Sequence, residues 1–169
     1  FELGRVFLRD ATVQNTDTTV AGFDQPMRVA GLAMGSAKPL GWAGKGTTVD
    51  FFDVKGHVEA LLAPRRAVFE PCAHPALHPG RSARVVLDGH EIGYVGELHP
   101  KWTQWFGLPT APVLFELALN AVLDQGVPAF VPFSKHQVVE RDIAIWVNEQ
   151  VQHDTLLAAV HAAPHQGML

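Results

Sequence analysis

The chain has 169 residues, 13 Lys plus Arg against 17 Asp plus Glu, a formal net charge of −4 and 47% apolar residues. This is enough chain for one good-sized core or two small ones, with the composition of an ordinary soluble globule; scattered basic residues in an acidic chain argue against a surface that grips nucleic acid unaided. One cysteine, Cys72, excludes an internal disulfide, and no apolar run approaches the roughly 20 residues that cross a bilayer, so a reducing, cytoplasmic setting is expected.

In chain order, Glu2 to Leu8 reads as a strand. Residues 10 to 26 are polar and without period, which predicts a loop or ragged hairpin before a strand from Arg28 to Met34, and Pro39 to Gly46 reads as a further loop. From Asp50 the period becomes helical: Phe51, Val54, Val58, Leu61 and Leu62 share one face, Asp50 is a plausible N-cap and Pro64 ends the segment. Gly56 inside this helix costs roughly 1 kcal/mol against Ala, so a close neighbour is expected there.

Ala67 to Glu70 reads as a strand. Val85 to Leu87 and Ile92 to Val95 then form a hairpin, in which Asp88-Gly89 supplies the positive-φ turn. Pro100 opens a short helix carrying Trp102, Trp105 and Phe106 on one face, with Gly107 as its C-terminal cap. Val113 to Leu119 is one more strand. Strands with helices laid on one face predict an α+β fold with an antiparallel sheet. Asp124 to Pro132, with Gly126, Pro128 and Pro132, is the expected linker; beyond it Asp142 to Val147 reads as a strand and Asp154 to Ala163 as a helix with a Leu156, Leu157, Val160 stripe.

Several constellations have a chemical reading and a plainer one. Gly41-Trp-Ala-Gly-Lys-Gly-Thr47 resembles a phosphate loop, but Gly46 stands where the magnesium-binding Ser or Thr should follow Gly44-Lys45, and Pro39 where the first Gly should be. Cys72, His74 and His78 have metal-like spacing and would make a small metal-binding protein, yet neither a Cys-x-x-Cys pair nor a helical His-Glu-x-x-His occurs. No Gly-x-Ser-x-Gly elbow surrounds Ser82. Glu91 and Glu97 lie on or beside the hairpin, where alternation explains an outward polar face, and Asp53 and Glu59 read as a solvated helix edge. Arg81 and Arg84 frame the hairpin; either a phosphate or a carboxylate within the same assembly is a natural partner. Trp102, Trp105 and Phe106 are read as core or protein interface before base stacking.

The run His78-Pro-Gly-Arg-Ser-Ala-Arg-Val-Val-Leu-Asp-Gly-His-Glu-Ile-Gly-Tyr-Val-Gly-Glu-Leu-His-Pro100 carries more than a hairpin needs. With Phe1-Glu-Leu-Gly-Arg-Val-Phe7, Val29-Ala-Gly-Leu-Ala-Met-Gly35, Val49-Asp-Phe-Phe-Asp-Val-Lys-Gly56, Val58-Glu-Ala-Leu-Leu62, Leu114-Phe-Glu-Leu117 and Glu140-Arg-Asp-Ile-Ala144, it resembles the C-terminal half of the bacterial phenylalanyl-tRNA synthetase beta chain, in the family's block order. The resemblance covers nearly the whole chain. It implies an excised piece of a much longer chain, in agreement with a start that has neither Met nor leader.

By resemblance, residues 1–123 are a class II synthetase-like, non-catalytic core module, residues 124–133 a linker and residues 134–169 the first strand and helix of a ferredoxin-like anticodon-binding domain. The holoenzyme of this family uses ATP and magnesium to join phenylalanine to its tRNA as a two-alpha, two-beta assembly. The alpha chain keeps the active site and no catalytic, cofactor or metal residue is expected here. The family's late glycine-rich, arginine-bearing strand and helix should fall near Val113 to Leu123, where neither glycine nor arginine occurs. Arg81, Arg84, Lys135 and Arg141 are the candidate contacts to the alpha subunit or to tRNA(Phe). One departure stands out: the family's Phe-Pro ahead of Arg141-Asp142 is replaced by His136-Gln137. A free-standing protein-binding module with a synthetase-like fold is the competing reading.

Overall fold

The structure is a computed structural model, and it describes residues 1–38, 41–42, 46–127, 129–130, 132, 137, 140 and 142–163. The chain divides into two compact units, Phe1–Val127 and Pro128–Leu169. In the first, six strands form one antiparallel sheet: β1 (Glu2–Arg5), β4 (Met27–Ala33), β5 (Val68–Pro71), β6 (Leu77–Leu87), β7 (His90–Leu98) and β8 (Val113–Ala118), in the order β1-β4-β8-β7-β6-β5. β2 (Leu8–Arg9) and β3 (Phe23–Asp24) make a separate two-stranded ribbon.

The expected strand from Glu2 to Leu8 is thus split in two. Arg5 pairs with Met27, which puts Val6 opposite Pro26. Pro26 accepts from the Val6 N–H at 3.1 Å but has no N–H to return, so the ladder stops.

Helix α1 (Phe51–Leu62) forms as the periodicity predicts. Asp50 caps it, its carboxylate accepting from the N–H groups of Phe52 and Asp53 while Asp53 reaches back to the Asp50 N–H. Val54, Val58 and Leu62 pack on the inner face of the sheet against Val29, Val85, Val95, Val113, Phe115 and Leu117, which is the core of the unit. Gly56 corrects an expectation, for nothing lies within 4 Å of where its Cβ would stand. It sits about 200° around the helix from Val54, off the packed face.

Asp88 (φ 51°) and Gly89 (φ 80°) make the hairpin turn between β6 and β7. Beyond the hairpin come α2 (Pro100–Trp105), ended by Gly107 at φ 61°, and α3 (Leu119–Leu123), a short helix where the sequence suggested only the end of a strand. In the second unit, α4 (His153–Ala162) forms close to its expected bounds. Asp142 to Val147, expected as a strand, is not one: a strand needs a ladder partner, and the described residues supply none.

Candidate functional site

Cross-strand partners in an antiparallel sheet share a face. Val29, Phe115 and Val95 therefore belong to the face that α1 covers, and the alternate positions build the other. Glu70 pairs with Arg84, Arg84 with Tyr94, Tyr94 with Glu116, Glu116 with Ala30 and Ala30 with Glu2, one polar row across all six strands. Two glycines of β7, one on each face, keep the strands close. A Cβ on Gly93 would stand 1.9 Å from the Glu116 carbonyl oxygen, and one on Gly96 would stand 2.9 Å from the Ser82 Cβ.

The charges at the middle and β5 end of the row are spent on one another. Arg84 donates from Nε to Glu70 Oε2 at 2.7 Å, with Nη2 at 2.6 Å from the same oxygen, and its Nη1 lies 3.8 Å from Glu91. Tyr94 donates its hydroxyl to Glu91 at 2.5 Å. That bond, then partial burial and the Glu91 charge, raise the Tyr94 pKa, and the hydrogen bond to Glu70 raises that of Arg84. Arg28 lies 3.8 Å from Glu116, with its Nε buried and without a hydrogen bond. Cys72 borders the same face, its thiol pKa raised first by burial and then by Glu91. Across the row four carboxylates (Glu2, Glu70, Glu91, Glu116) face two guanidinium groups (Arg28, Arg84), a balance that repels phosphate.

Arg81 and Arg84, the two candidate contacts that the described residues include, hold different carboxylates: Arg81 is 2.9 Å from Glu97. Lys135 and Arg141 lie outside the described residues, as does His136 of the departure, and so do Ala43, Gly44 and Lys45 of the glycine-rich loop. Cys72, His74 and His78 do not converge, and no group of three His, Cys, Asp or Glu side chains disposed to hold a metal occurs among the described residues. The His74 ring instead packs against Tyr94, 4.9 Å between centroids.

The sequence reading missed what the three His-Pro pairs do. His74, His78 and His99 each accept, at Nδ1, the backbone N–H two residues on, from Ala76 at 3.3 Å, Gly80 at 3.0 Å and Lys101 at 3.1 Å. A ring nitrogen that accepts carries no proton, so His74 and His99 are held with the proton on Nε2 and offer a donor there. His78 differs, because Arg81 Nη2 sits 3.2 Å from its Nε2 and competes for the proton-free nitrogen. His74, His99 and Lys101 line one cavity of about 310 Å³ with Pro75, Leu77 and Pro79. The repeated His-Pro pair was the available signal.

The family model of the phenylalanyl-tRNA synthetase beta chain CLM domain matches residues 1–119. The chain belongs to that family. Among curated proteins it is similar to the phenylalanine–tRNA ligase beta subunit of Cupriavidus pinatubonensis, 50% identical over 163 residues, and to that of Ralstonia nicotianae, 52% identical over 163 residues; each match covers 96% of this chain and 20% of the relative. The beta subunit of Dechloromonas aromatica is 52% identical over 157 residues, 93% of this chain and 19% of the relative. The chain thus spans about a fifth of the length of the curated relatives it matches. The six-stranded sheet and the hairpin block both fall within the matched residues. Among the described residues no helix is long and apolar enough to cross a membrane.

Proposed function

We propose that this chain is the non-catalytic scaffold segment of a phenylalanine–tRNA ligase beta subunit, acting within a cytoplasmic assembly that uses ATP to attach phenylalanine to tRNA(Phe). The observation that carries the reading is a sheet face on which carboxylates outnumber the guanidinium groups and engage them. Adenylate formation on a sheet of this class requires guanidinium groups free to offset phosphate charge. Here Arg84 is committed to Glu70 and flanked by Glu91, Arg28 is opposed by Glu116, and β8 and α3 bring no arginine. Such a face holds strands together and does not hold a nucleotide.

Magnesium is assigned elsewhere in the assembly, because Glu70, Glu91 and Glu116 of the row already have guanidinium or hydroxyl partners, which leaves no open set of carboxylate oxygens of the kind the ion needs. The segment docks the alpha subunit and helps position tRNA in a two-alpha, two-beta enzyme. Residues 1–123 are a class II-like core module, 124–133 a linker, and 134–169 the opening of a ferredoxin-like anticodon-binding domain whose remaining strands complete the Asp142 to Val147 ladder. Arg81 and Arg84 serve first in the scaffold's own ion pairs, so a contact from either to tRNA or to the alpha subunit competes with Glu97 or Glu70.

Coexpression tests this. A full-length beta chain containing these residues should copurify with its alpha chain and charge tRNA(Phe), and the 169-residue chain alone should show no phenylalanine-dependent exchange of pyrophosphate into ATP. Activation by the isolated chain, or a beta chain that never assembles with alpha, sinks the reading.

A further inference from the structure

We propose that the cavity beside α2 and the indole of Trp105 together form a contact for a single-stranded stretch of RNA, with a phosphate in the cavity and the neighbouring base stacked on the ring. The inference deepens the ligase reading and rests on it, since it gives the tRNA-positioning role a place on the molecule.

At about 310 Å³ the cavity stands at the small end of ligand pockets. None of its lining residues is acidic, in a chain whose net charge is −4. His74, His99 and Lys101 stand in its wall; with Nδ1 of each imidazole taken by the N–H of Ala76 or Lys101, the two rings carry their proton on Nε2, and Lys101 is the one cation of the lining. Two neutral donors and one cation suit one phosphodiester better than a polyphosphate.

The wall is also held in place. Trp102 donates from Nε1 to the Pro75 carbonyl at 3.3 Å, tying α2 to the loop that carries His74, and the Lys101 ammonium lies 4.7 Å from the Trp102 ring centroid.

Trp105 follows Lys101 by four residues, so the two share a face of α2 about 6 Å apart at Cβ. Its side chain is 76% exposed and Phe106 beside it 65%; no residue of α2 is buried, so these rings do not serve the core. An exposed ring on the helix that supplies Lys101 to an acid-free cavity holding two imidazoles repeats the alternation of base and phosphate along a nucleic-acid strand, and stacking of this kind tolerates any base. A protein-docking patch would use the same rings but has no need of an acid-free cavity with two imidazoles and a lysine in its wall.

The test uses the full beta chain assembled with its alpha chain. Trp105→Ala should weaken tRNA binding about tenfold, and Trp105→Phe should restore most of it. Lys101→Ala should lower the slope of log affinity against log salt by about one. Phenylalanine activation and alpha-beta association should stay unchanged in all three. An assembly that charges tRNA while the Ala variants bind it with wild-type affinity and slope overturns the contact alone. Loss of alpha-beta association in Trp105→Ala also overturns it, in favour of protein docking. A wild-type assembly that neither binds nor charges tRNA overturns the ligase reading and the contact with it.

Discussion

Tyr94 is the chain's one tyrosine and stands at the centre of the polar row, so its ionisation reports on that row without interference. Its hydroxyl donates to Glu91, and a phenol that donates to a carboxylate gives up its proton less readily. The pKa is raised in the folded state, so this bond's contribution to stability is complete below the ordinary tyrosine range and is lost as pH rises through the raised value. Titration by tyrosinate absorbance should therefore place Tyr94 above a free tyrosine, and Glu91→Ala should bring it most of the way back. An unchanged midpoint in the variant would mean that the hydroxyl does not bond to Glu91. Gly93, next in the chain, tests close approach. With its Cβ 1.9 Å from a backbone oxygen, Gly93→Ala must push β7 from β8, at a cost of about 3 kcal/mol or more by chemical denaturation.

At the scale of elements, α1 and the β6–β7 hairpin were legible from local chemistry alone. The Asp50 cap, the Val54-Val58-Leu62 stripe and the Asp88-Gly89 turn each depend on residues a few positions apart. What stayed hidden depends on distant partners. Pro26 interrupts a ladder begun by β1, and only the register shows it. The polar row joins residues from 2 to 116, so Glu91 reads as outward alternation in sequence and as a neighbour of Arg84 and Tyr94 in the fold. Arg81 and Arg84 were legible as residues that find carboxylates, whereas His99 and Lys101 were not marked as site residues, because the cavity wall joins the loop before β6 and the start of β6 to the start of α2. Gly56 shows the reverse error, a sequence argument that inferred a neighbour from a poor helix former. With open space around it and ordinary helical geometry, Gly56→Ala should raise stability by about 0.5 to 1 kcal/mol. A loss of stability, measured by urea denaturation, would restore the idea of a close contact.

On the scale of the whole molecule the two units have different resources. In Phe1–Val127, Val58, Leu62, Val85, Val95 and Leu117 lie wholly inside, and β7 is hydrogen-bonded on both edges. Among the described residues of Pro128–Leu169 none is buried; Ile143, Ile145, Trp146, Leu157 and Val160 all face solvent. An isolated helix of ten residues is shorter than the roughly 12 to 15 at which helices become even marginal in water, and α4 has no side-chain cap bond to help it. Amide hydrogen exchange should separate the units sharply. Amides of β7 and β8 should exchange only through global unfolding, while those of α4 in the 169-residue chain should exchange within about tenfold of an unstructured peptide. In the full-length beta chain the same α4 amides should become protected, because an apolar stripe of Leu156, Leu157 and Val160 then has something to pack on. Strong protection of α4 in the short chain would mean that residues 128–169 already hold a core of their own, and the proposal that they open a larger domain would fail.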